Sequence, residues 1–551
     1  MHTGQVFREL TAPHNLWGMV RQHRPAPQAT RLLGFVSLVI VMLTLLPLAY
    51  LAVRATGAGT EALEYLLSAR TLGVIRNSLQ LTGAVMLSST VLGTAFAWLT
   101  TRTDLPFRRL WLVSGLLPLV IPSFIGALSY VAAFGPRGLL QQALEPLGVA
   151  ELPSIYGFFG AWMAITLFTY PYVVLPVRAA LLNMDPALEE TARSLGLGRR
   201  GTFWRVILPQ LRPALATGML LSALYALSDF GAVALMRYNA FTRVIFLQYT
   251  SSFDRHRAAV LSLALVIIAL GLLLLERRVA SARHNYRVGG GSTMRQTRPV
   301  ALGRWRIPAL LFCSVPVVLG LLTPVGVLVF WLMQGVRAGL NPFGSETLVP
   351  TLNTVGVSGA AAAVAGMTAL PLALHAARSR SQVSRWLVNL AYLGNGLPGL
   401  VVALSLVFFM ANYLPALYQT LPVLIFGYTL RFLPLSIGTT RSALTQVNPR
   451  HEEAARSLGL TRWQATVRIT IPLVRAGILG GMALVFLNVM KELPTTLLLA
   501  PTGFKTLTTQ IWTAQTEAFF MQSAIPALLL IVASALSLFL ILGHTQKEVQ
   551  L

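Results

Sequence analysis

The chain has 551 residues, of which 55% are apolar and only 11% are charged, and its mean hydropathy is +0.66. Soluble globular proteins carry about 25% charged residues, so this composition excludes a soluble protein of several domains. The net charge of +25 would suit nucleic acid in a soluble protein, but here the arginines cluster in short loops between apolar blocks. We therefore predict an all-α, polytopic protein whose surroundings are a lipid bilayer, with no nucleic-acid partner.

The apolar blocks predict twelve membrane-spanning helices, each long enough to cross a bilayer core of roughly 30 Å. In chain order they run at about 32–53, 75–99, 110–134, 156–177, 213–235, 258–276, 307–333, 351–375, 386–411, 420–440, 476–499 and 522–543. They divide the chain into five parts, namely a tail 1–31, a first six-helix unit 32–276, a linker 277–306, a second six-helix unit 307–543 and a tail 544–551. The first apolar block is too long for the cleavable segment of a signal peptide.

The distribution of arginines predicts the orientation. Basic residues concentrate in the N-terminal tail, in the linker and in four loops, at 102–109, 178–212, 378–385 and 441–475. The positive-inside rule places all of these in the cytoplasm, together with both termini. The basic loop 236–257 does not follow this rule, because the number of spans places it on the side opposite the cytoplasm. It is either a local exception, or a contact for an acidic binding protein or for an anion that accompanies the substrate.

Two of the cytoplasmic loops repeat each other. Residues 186–212 read PALEETARSLGLGRRGTFWRVILPQLR, and residues 449–475 read PRHEEAARSLGLTRWQATVRITIPLVR. These loops match at an offset of 263 residues, whereas Asn77/Asn353 and Pro122/Pro398 match at an offset of 276. The sequence therefore predicts a tandem duplication, with 13 extra residues in the first copy between these two regions.

Each repeated loop predicts a short exposed helix. Its acids fall in the first turn, where they suit the positive end of the helix dipole, and its glycine suits a left-handed turn after the last residue. A small alanine would let a partner surface approach closely. The shared residues are Glu189, Glu190, Ala192, Gly196 and Pro209 in the first copy and Glu452, Glu453, Ala455, Gly459 and Pro472 in the second. Such a helix suits a groove on another protein, whereas a helix lying on lipid headgroups would not require the acidic pair.

These loops resemble the "EAA" signature of ABC-importer permeases, which reads Glu-Ala-Ala, three residues, Gly, nine residues, Ile-x-Leu-Pro. The spacing is intact in both copies, and the departures are Thr191, Val206 and Ile471. The resemblance implies that each loop couples the permease to a nucleotide-binding subunit, so that two ATPase copies and a solute-binding protein are partners in a bacterial cytoplasmic membrane. The chain itself has no phosphate-binding loop, since the nearest stretch, 503–506, has Phe before its Lys. We therefore expect no catalytic residue and no bound cofactor here, with ATP hydrolysed by the partner.

Two acids lie at equivalent positions inside predicted spans. Asp229 in the fifth span and Glu492 in the eleventh are separated by the same offset of 263 residues. Ionisable residues within a membrane are costly and suggest function, and carboxylates suit hard cations. The two acids are thus candidates for a central pathway with transient metal contacts at most. The alternative is that each acid pairs locally, for example Glu492 with Lys491, and stabilises packing.

The segments around these acids resemble those of fused ferric-iron permeases. The resemblance rests on Ser228–Val233 and on Lys491–Leu499. It implies an importer that moves ferric iron by alternating access. Thiamine or another small cation such as a polyamine, and an anion of the phosphonate or sulfate type, stay open as cargo. A secondary transporter would leave the twin loops unexplained, and a membrane enzyme is disfavoured because no ligand cluster or nucleophile–base pair stands out.

Overall fold

The computed structural model describes residues 27–57, 59–251, 254–281, 299–339, 341, 344–379, 381–448 and 450–549. Most of the predicted N-terminal tail and the middle of the predicted linker, residues 282–298, therefore lie outside the described residues. The same holds for Phe253, within the basic loop 236–257, and for Pro449.

The first half of the described chain is built from helices. These are α1 (Pro27–Thr56), α2 (Gly59–Leu67), α3 (Ala69–Arg102), α4 (Arg108–Leu116), α5 (Ser123–Phe134), α6 (Leu139–Leu144), α7 (Phe158–Thr169), α8 (Pro171–Leu182), α9 (Pro186–Ser194), α10 (Arg199–Thr202), α11 (Leu208–Ser228), α12 (Gly231–Leu235), α13 (Phe241–Thr250) and α14 (Arg255–Ser281).

The second half repeats this order. Its helices are α15 (Arg306–Val317), α16 (Thr323–Arg337), α17 (Ser345–Arg378), α18 (Gln382–Ala391), α19 (Gly399–Tyr413), α20 (Leu421–Gln446), α21 (Arg450–Ser457), α22 (Arg462–Ala465), α23 (Ile471–Met490), α24 (Pro494–Leu499), α25 (Leu507–Thr516) and α26 (Phe520–Val549). Within the described residues, the only β-type pairing is an isolated parallel bridge between Thr103 and Val300.

The predicted all-α, polytopic class is confirmed. The described residues contain ten helices long and apolar enough to cross a membrane, or twelve if each of two sharply bent helix pairs counts as one span. The bent pairs correspond to the predicted third and ninth spans, 110–134 and 386–411. They turn by 100° between Val120 and Ser123 and by 98° between Gly394 and Gly399, so neither is the straight helix that hydropathy predicts.

A proline causes each of these bends. Pro122 and Pro398 have no backbone N–H to donate, and proline pushes the residue before it out of the helical region. Ile121 and Leu397 are accordingly extended, with φ/ψ of −81°/122° and −83°/126°. Hydropathy cannot register this break because the residues on both sides of it are equally apolar.

The predicted fifth and eleventh spans also end early. The helix α11 stops at Ser228, and Asp229 is extended with φ −66° and ψ 128° before the chain resumes as the short α12. In the second half α23 stops at Met490, and the chain resumes at Pro494 as α24. The two acids therefore sit in helix breaks rather than within continuous helices.

The two halves interlock through their first helices. The helix α1 packs against α17, α18 and α19 of the second half, while α15 and α16 pack against α4 and α5 of the first. Hydrogen bonds join the halves here, from the Tyr50 hydroxyl to the Phe408 carbonyl (3.3 Å) and from the Tyr130 hydroxyl to the Leu319 carbonyl (2.9 Å). Each half therefore completes its helix packing with a helix of the other.

Candidate functional site

The two repeated loops fold into the same short helix, α9 in the first half and α21 in the second, which we call the docking helices. Gly196 and Gly459 are left-handed at their C-terminal ends, with φ of +87° and +92°. The Leu197 N–H donates to the Ala192 carbonyl (3.1 Å), and the Leu460 N–H donates to the Ala455 carbonyl (3.2 Å). These bonds complete a Schellman motif in each copy, so the predicted left-handed turn is confirmed.

The expectation for the alanines is wrong. Ala192 and Ala455 are each only 6% exposed and face the body of their own half, so they do not offer a surface to a partner. The outward faces carry Glu190 and Glu453, both exposed. Leu195 and Leu458, which follow the last turns, are 79% and 86% exposed. Each docking helix thus presents an exposed leucine next to an exposed carboxylate, and such a surface suits contact with a protein partner.

The first acid of each docking helix is anchored internally. Glu189 pairs with Arg102, the last residue of α3, and Glu452 pairs with Arg378, the last residue of α17, at 2.9 Å. Arg378 also donates to the Thr466 hydroxyl (2.7 Å). Sequence reasoning missed these arginines, although Arg102 and Arg378 match at the offset of 276 residues. The anchors tie each docking helix to the longest helix of its half.

Each docking helix leads into a membrane helix through a widened turn. A π-helical turn, Phe203–Ile207 or Thr466–Thr470, directly precedes α11 or α23. Pro209 and Pro472 follow as the second residue of the membrane helix, where a missing N–H is tolerated in the first turn. After the turn at Gly196 or Gly459, the chain is helical from α10 or α22 through the π-turn into the membrane helix.

The end of the linker lies beside the first docking helix. The Val300 N–H donates to the Arg102 carbonyl (2.8 Å), and the Asp104 N–H donates to the Val300 carbonyl (3.2 Å). A cavity of about 530 Å³ between this segment and α9 is lined by charged residues of both signs, among them Arg102, Glu189, Glu190, Arg193 and Arg199. The surroundings of the first docking helix therefore include a piece of the linker.

Asp229 is held by the first half alone. Its carboxylate accepts hydrogen bonds from the Ser123 hydroxyl and from the backbone N–H groups of Ala232 (2.9 Å) and Val233 (3.4 Å). The side chain is buried, at 8% exposure. No cation among the described residues forms an ion pair with it.

Glu492 has a different partner. It forms an ion pair with Arg431 of α20, and it accepts from the Thr495 hydroxyl (2.7 Å) and the Thr495 N–H (3.3 Å). The suggested local pair with Lys491 is wrong. The Lys491 ammonium instead crosses to the first half and donates to the Leu119 carbonyl (3.1 Å).

The repeat explains why the two acids differ. Arg431 corresponds to Phe168 at the offset of 263, and Gly399 corresponds to Ser123 at the offset of 276. A Cβ at Gly399 would overlap with the Arg431 guanidinium and the Glu492 carboxylate, so the glycine leaves room for the ion pair. Sequence reasoning missed Arg431, although an arginine inside the predicted span 420–440 was itself a signal.

The acids lie in one polar layer where the halves meet. Lys491, the neighbour of Glu492, donates to the Leu119 carbonyl of the first half (3.1 Å). Phe230, the neighbour of Asp229, packs on Trp512 of the second half with ring centroids 5.2 Å apart. We call Asp229, Ser123, Arg431, Glu492 and Lys491 the central layer. No group of three His, Cys, Asp or Glu in the described part of the chain could hold a metal.

The family model described as "Binding-protein-dependent transport system inner membrane component" matches residues 89–276 and again residues 369–547. The chain is 34% identical over 518 residues to the Fe(3+)-transport system permease protein FbpB 2 of Haemophilus influenzae, with 93% of this chain and 99% of that protein covered. It is 27% identical to the putative ferric transport system permease protein FbpB 1 of the same organism, covering 79% and 71%. The Escherichia coli sulfate transport system permease protein CysT is 29% identical, covering 46% of this chain and 93% of that protein. The chain therefore belongs to the family of binding-protein-dependent transport system inner membrane components.

Proposed function

We propose that this chain is the membrane permease of an ABC importer that moves ferric iron across the bacterial cytoplasmic membrane. The observation that carries the proposal is the likeness of almost the whole chain to a permease named for Fe(3+) transport. The permease units 32–276 and 307–543 each contribute one docking helix to one of two ATPase copies. The tails 1–31 and 544–551 and the linker 277–306 face the cytoplasm, and a solute-binding protein delivers iron from outside.

The docking helices transmit the motion of the ATPase. Glu190 and Glu453, with the exposed leucines Leu195 and Leu458, contact the ATPase surface. The anchors from Arg102 to Glu189 and from Arg378 to Glu452 then pass the displacement to α3 and α17. The chain itself performs no hydrolysis; its contribution is to convert closure of the ATPase pair into separation of the two halves.

The substrate crosses at the central layer. Separation of the halves there would break the contact of Phe230 with Trp512 and the bond from Lys491 to the Leu119 carbonyl, which both join the halves. Asp229 and Glu492 would then face the opened path. Carboxylate oxygens suit a hard trivalent cation, and they are the acids nearest to these contacts.

The test measures ATP-dependent uptake of radioactive ferric iron in proteoliposomes that contain the permease, its ATPase and its binding protein. Replacing Glu190 and Glu453 by Lys should abolish uptake and co-purification of the ATPase, because the charge that faces the partner is reversed. The matched control is Glu517→Lys, which changes an exposed acid far from the docking helices in the chain. Uptake that persists without ATP, or in the double variant, would refute the ATPase-driven machine.

A sulfate-type anion is the second candidate. Arg431 and Lys491 place two cations in the central layer, and a sulfate permease matches 46% of the chain. The same vesicles distinguish the cargo. Accumulation of radioactive sulfate, with no accumulation of iron, would show that the transported substrate is the anion. The proposal of an ATP-driven importer would be unaffected.

A further inference from the structure

The end of the linker is fixed to the first half by hydrogen bonds. We call residues 299–302 the strap. The Val300 N–H donates to the Arg102 carbonyl (2.8 Å), and the Asp104 N–H donates to the Val300 carbonyl (3.2 Å). The Asp104 carboxylate also accepts from the Leu302 N–H (2.9 Å). The strap is therefore held in one position against the end of α3.

The strap supports the residue that anchors the first docking helix. Its bond is to the backbone of Arg102, whose side chain pairs with Glu189. In the second half the equivalent Arg378 also donates to the Thr466 hydroxyl (2.7 Å). The equivalent of Thr466 at the offset of 263 residues is Phe203, which has no side-chain acceptor. The strap thus occurs at the anchor that lacks this hydroxyl.

The strap also forms one wall of the cavity of about 530 Å³ beside the first docking helix. Pro299, Val300 and Ala301 line it on one side, and Glu190 and Arg193 are among the lining residues of α9. Pro299 and Ala301 are exposed, and so are Glu190 and Arg193. The cavity is therefore accessible to a partner, and the surface around Glu190 continues onto the linker.

We propose that the strap and the docking helix α9 together form the contact surface for one ATPase copy, so that the linker between the two permease units is itself part of a docking site. This inference rests on the proposed function, which assigns α9 to the ATPase. The position of the cavity next to Glu190 favours this occupant. A lining with charges of both signs suits the charged surface of a protein partner.

The hydrogen bonds of the strap explain how it would strengthen binding. A segment that is already ordered loses little conformational entropy when a partner covers it. Because Val300 and Asp104 hold the strap before the ATPase arrives, the docking surface is preorganised. Release of the strap should therefore weaken ATPase binding at the first docking helix and leave the second unaffected.

The experiment titrates the ATPase onto the full permease in lipid nanodiscs, in two backgrounds. Glu453→Lys disables the second docking helix, so that binding reports the first, and Glu190→Lys does the reverse. Asp104→Ala with Val300→Pro removes one acceptor and one donor of the strap. This double variant should weaken binding about tenfold in the Glu453→Lys background, because two hydrogen bonds are lost. In the Glu190→Lys background it should change nothing.

The matched control is Asp104→Asn with Val300→Ile. It keeps an acceptor oxygen at position 104 and the backbone N–H at position 300, so binding should equal that of the unmodified strap in both backgrounds. If the proline variant fails to assemble, Asp104→Ala alone still removes the bond from Leu302 and should weaken binding to a smaller extent.

Direct contact is tested by photo-crosslinking. The chain has a single cysteine, Cys313, which is buried, and Cys313→Ala provides a background without thiols. Pro299→Cys labelled with benzophenone maleimide should crosslink to the ATPase in the complete complex. Glu517→Cys, at an exposed position far from the docking helices in the chain, should not.

The outcomes separate this inference from the proposed function. A wild-type permease that binds no ATPase refutes the proposed function. ATPase binding that the strap variants leave unaltered, or weaken equally in both backgrounds, overturns the composite docking site while the importer stands. A label at position 299 that crosslinks only within the permease overturns it as well.

Discussion

At the scale of single residues, Asp229 and Glu492 show how duplication preserves a position while its chemistry changes. Both carboxylates accept a backbone N–H from the short helix that follows, Ala232 in one half and Thr495 in the other. Among the described ion pairs, only Glu492 of the two acids is joined to an arginine. One acid is therefore held by neutral donors, and its equivalent is half of a buried ion pair.

This difference predicts unequal effects on stability. Glu492→Gln leaves the Arg431 guanidinium buried without its partner, which costs about 3–5 kcal/mol, whereas Asp229→Asn keeps an acceptor oxygen and costs about 1 kcal/mol. Both variants should transport less iron, but only Glu492→Gln should lower the midpoint of thermal unfolding substantially. Adding Arg431→Gln to it should restore much of the midpoint. Equal midpoints for the two single variants would contradict this assignment.

At the scale of elements, the docking helix combines a locally encoded end with an orientation set by its surroundings. The left-handed glycine terminates the helix in both copies, and this follows from a residue type at a fixed spacing. The inward direction of Ala192 and Ala455 follows instead from the anchors between Arg102 and Glu189 and between Arg378 and Glu452. The exposed leucines are a consequence of that orientation.

The glycines of the docking helices should be sensitive to substitution. A Cβ at Gly196 or Gly459 meets no neighbouring atom, so the cost of alanine is the left-handed backbone itself, roughly 1–2 kcal/mol per site. Gly196→Ala with Gly459→Ala should weaken ATPase binding, measured by titrating the ATPase onto permease in nanodiscs. The control is Gly198→Ala, which is equally open but has φ −63°. Equal weakening by the control would disprove the conformational explanation.

At the scale of the whole molecule, the halves are interlocked, because the first helix of each half packs against helices of the other. The long helices α3 and α17 carry the anchors, and α1 packs across the boundary against α17. The two acids lie where the halves meet, beside the contact of Phe230 with Trp512. The proposed coupling would therefore run from the docking helices through the anchored helices α3 and α17 to the region where the halves meet.

Removing both anchors should uncouple iron uptake from ATP hydrolysis, while the ATPase stays bound. Arg102→Gln with Arg378→Gln keeps Glu190 and Glu453 exposed, so the ATPase should still bind and hydrolyse ATP while iron uptake falls. Both activities are measured in the same vesicles. Arg137→Gln serves as control, because Arg137 and Glu151 form an exposed pair that contributes about 0–1 kcal/mol. Uptake that stays at the wild-type level in the double variant would show that the anchors carry no motion.

Local patterns along the chain were sufficient for part of this description. Apolar blocks established the all-α membrane class, the two offsets located equivalent residues, and glycine at a fixed spacing predicted the left-handed turns. The orientation in the membrane and the pathway role of Asp229 and Glu492 stay predictions. Each of these inferences uses neighbours along the chain, where hydropathy, charge and backbone preference act directly.

Which side chains meet was determined by the packing of separate helices. The pairing of Glu492 with Arg431, the bond from Lys491 to Leu119 and the packing of Tyr172 on Tyr225 all join separate segments of the chain. Hydropathy treats the residues around Pro122 and Pro398 as continuous spans, although the chain turns sharply there. The physical reason is that a buried charge pairs with a group that tertiary packing brings close to it. The packing between helices cannot be derived from the residue spacing within any single helix.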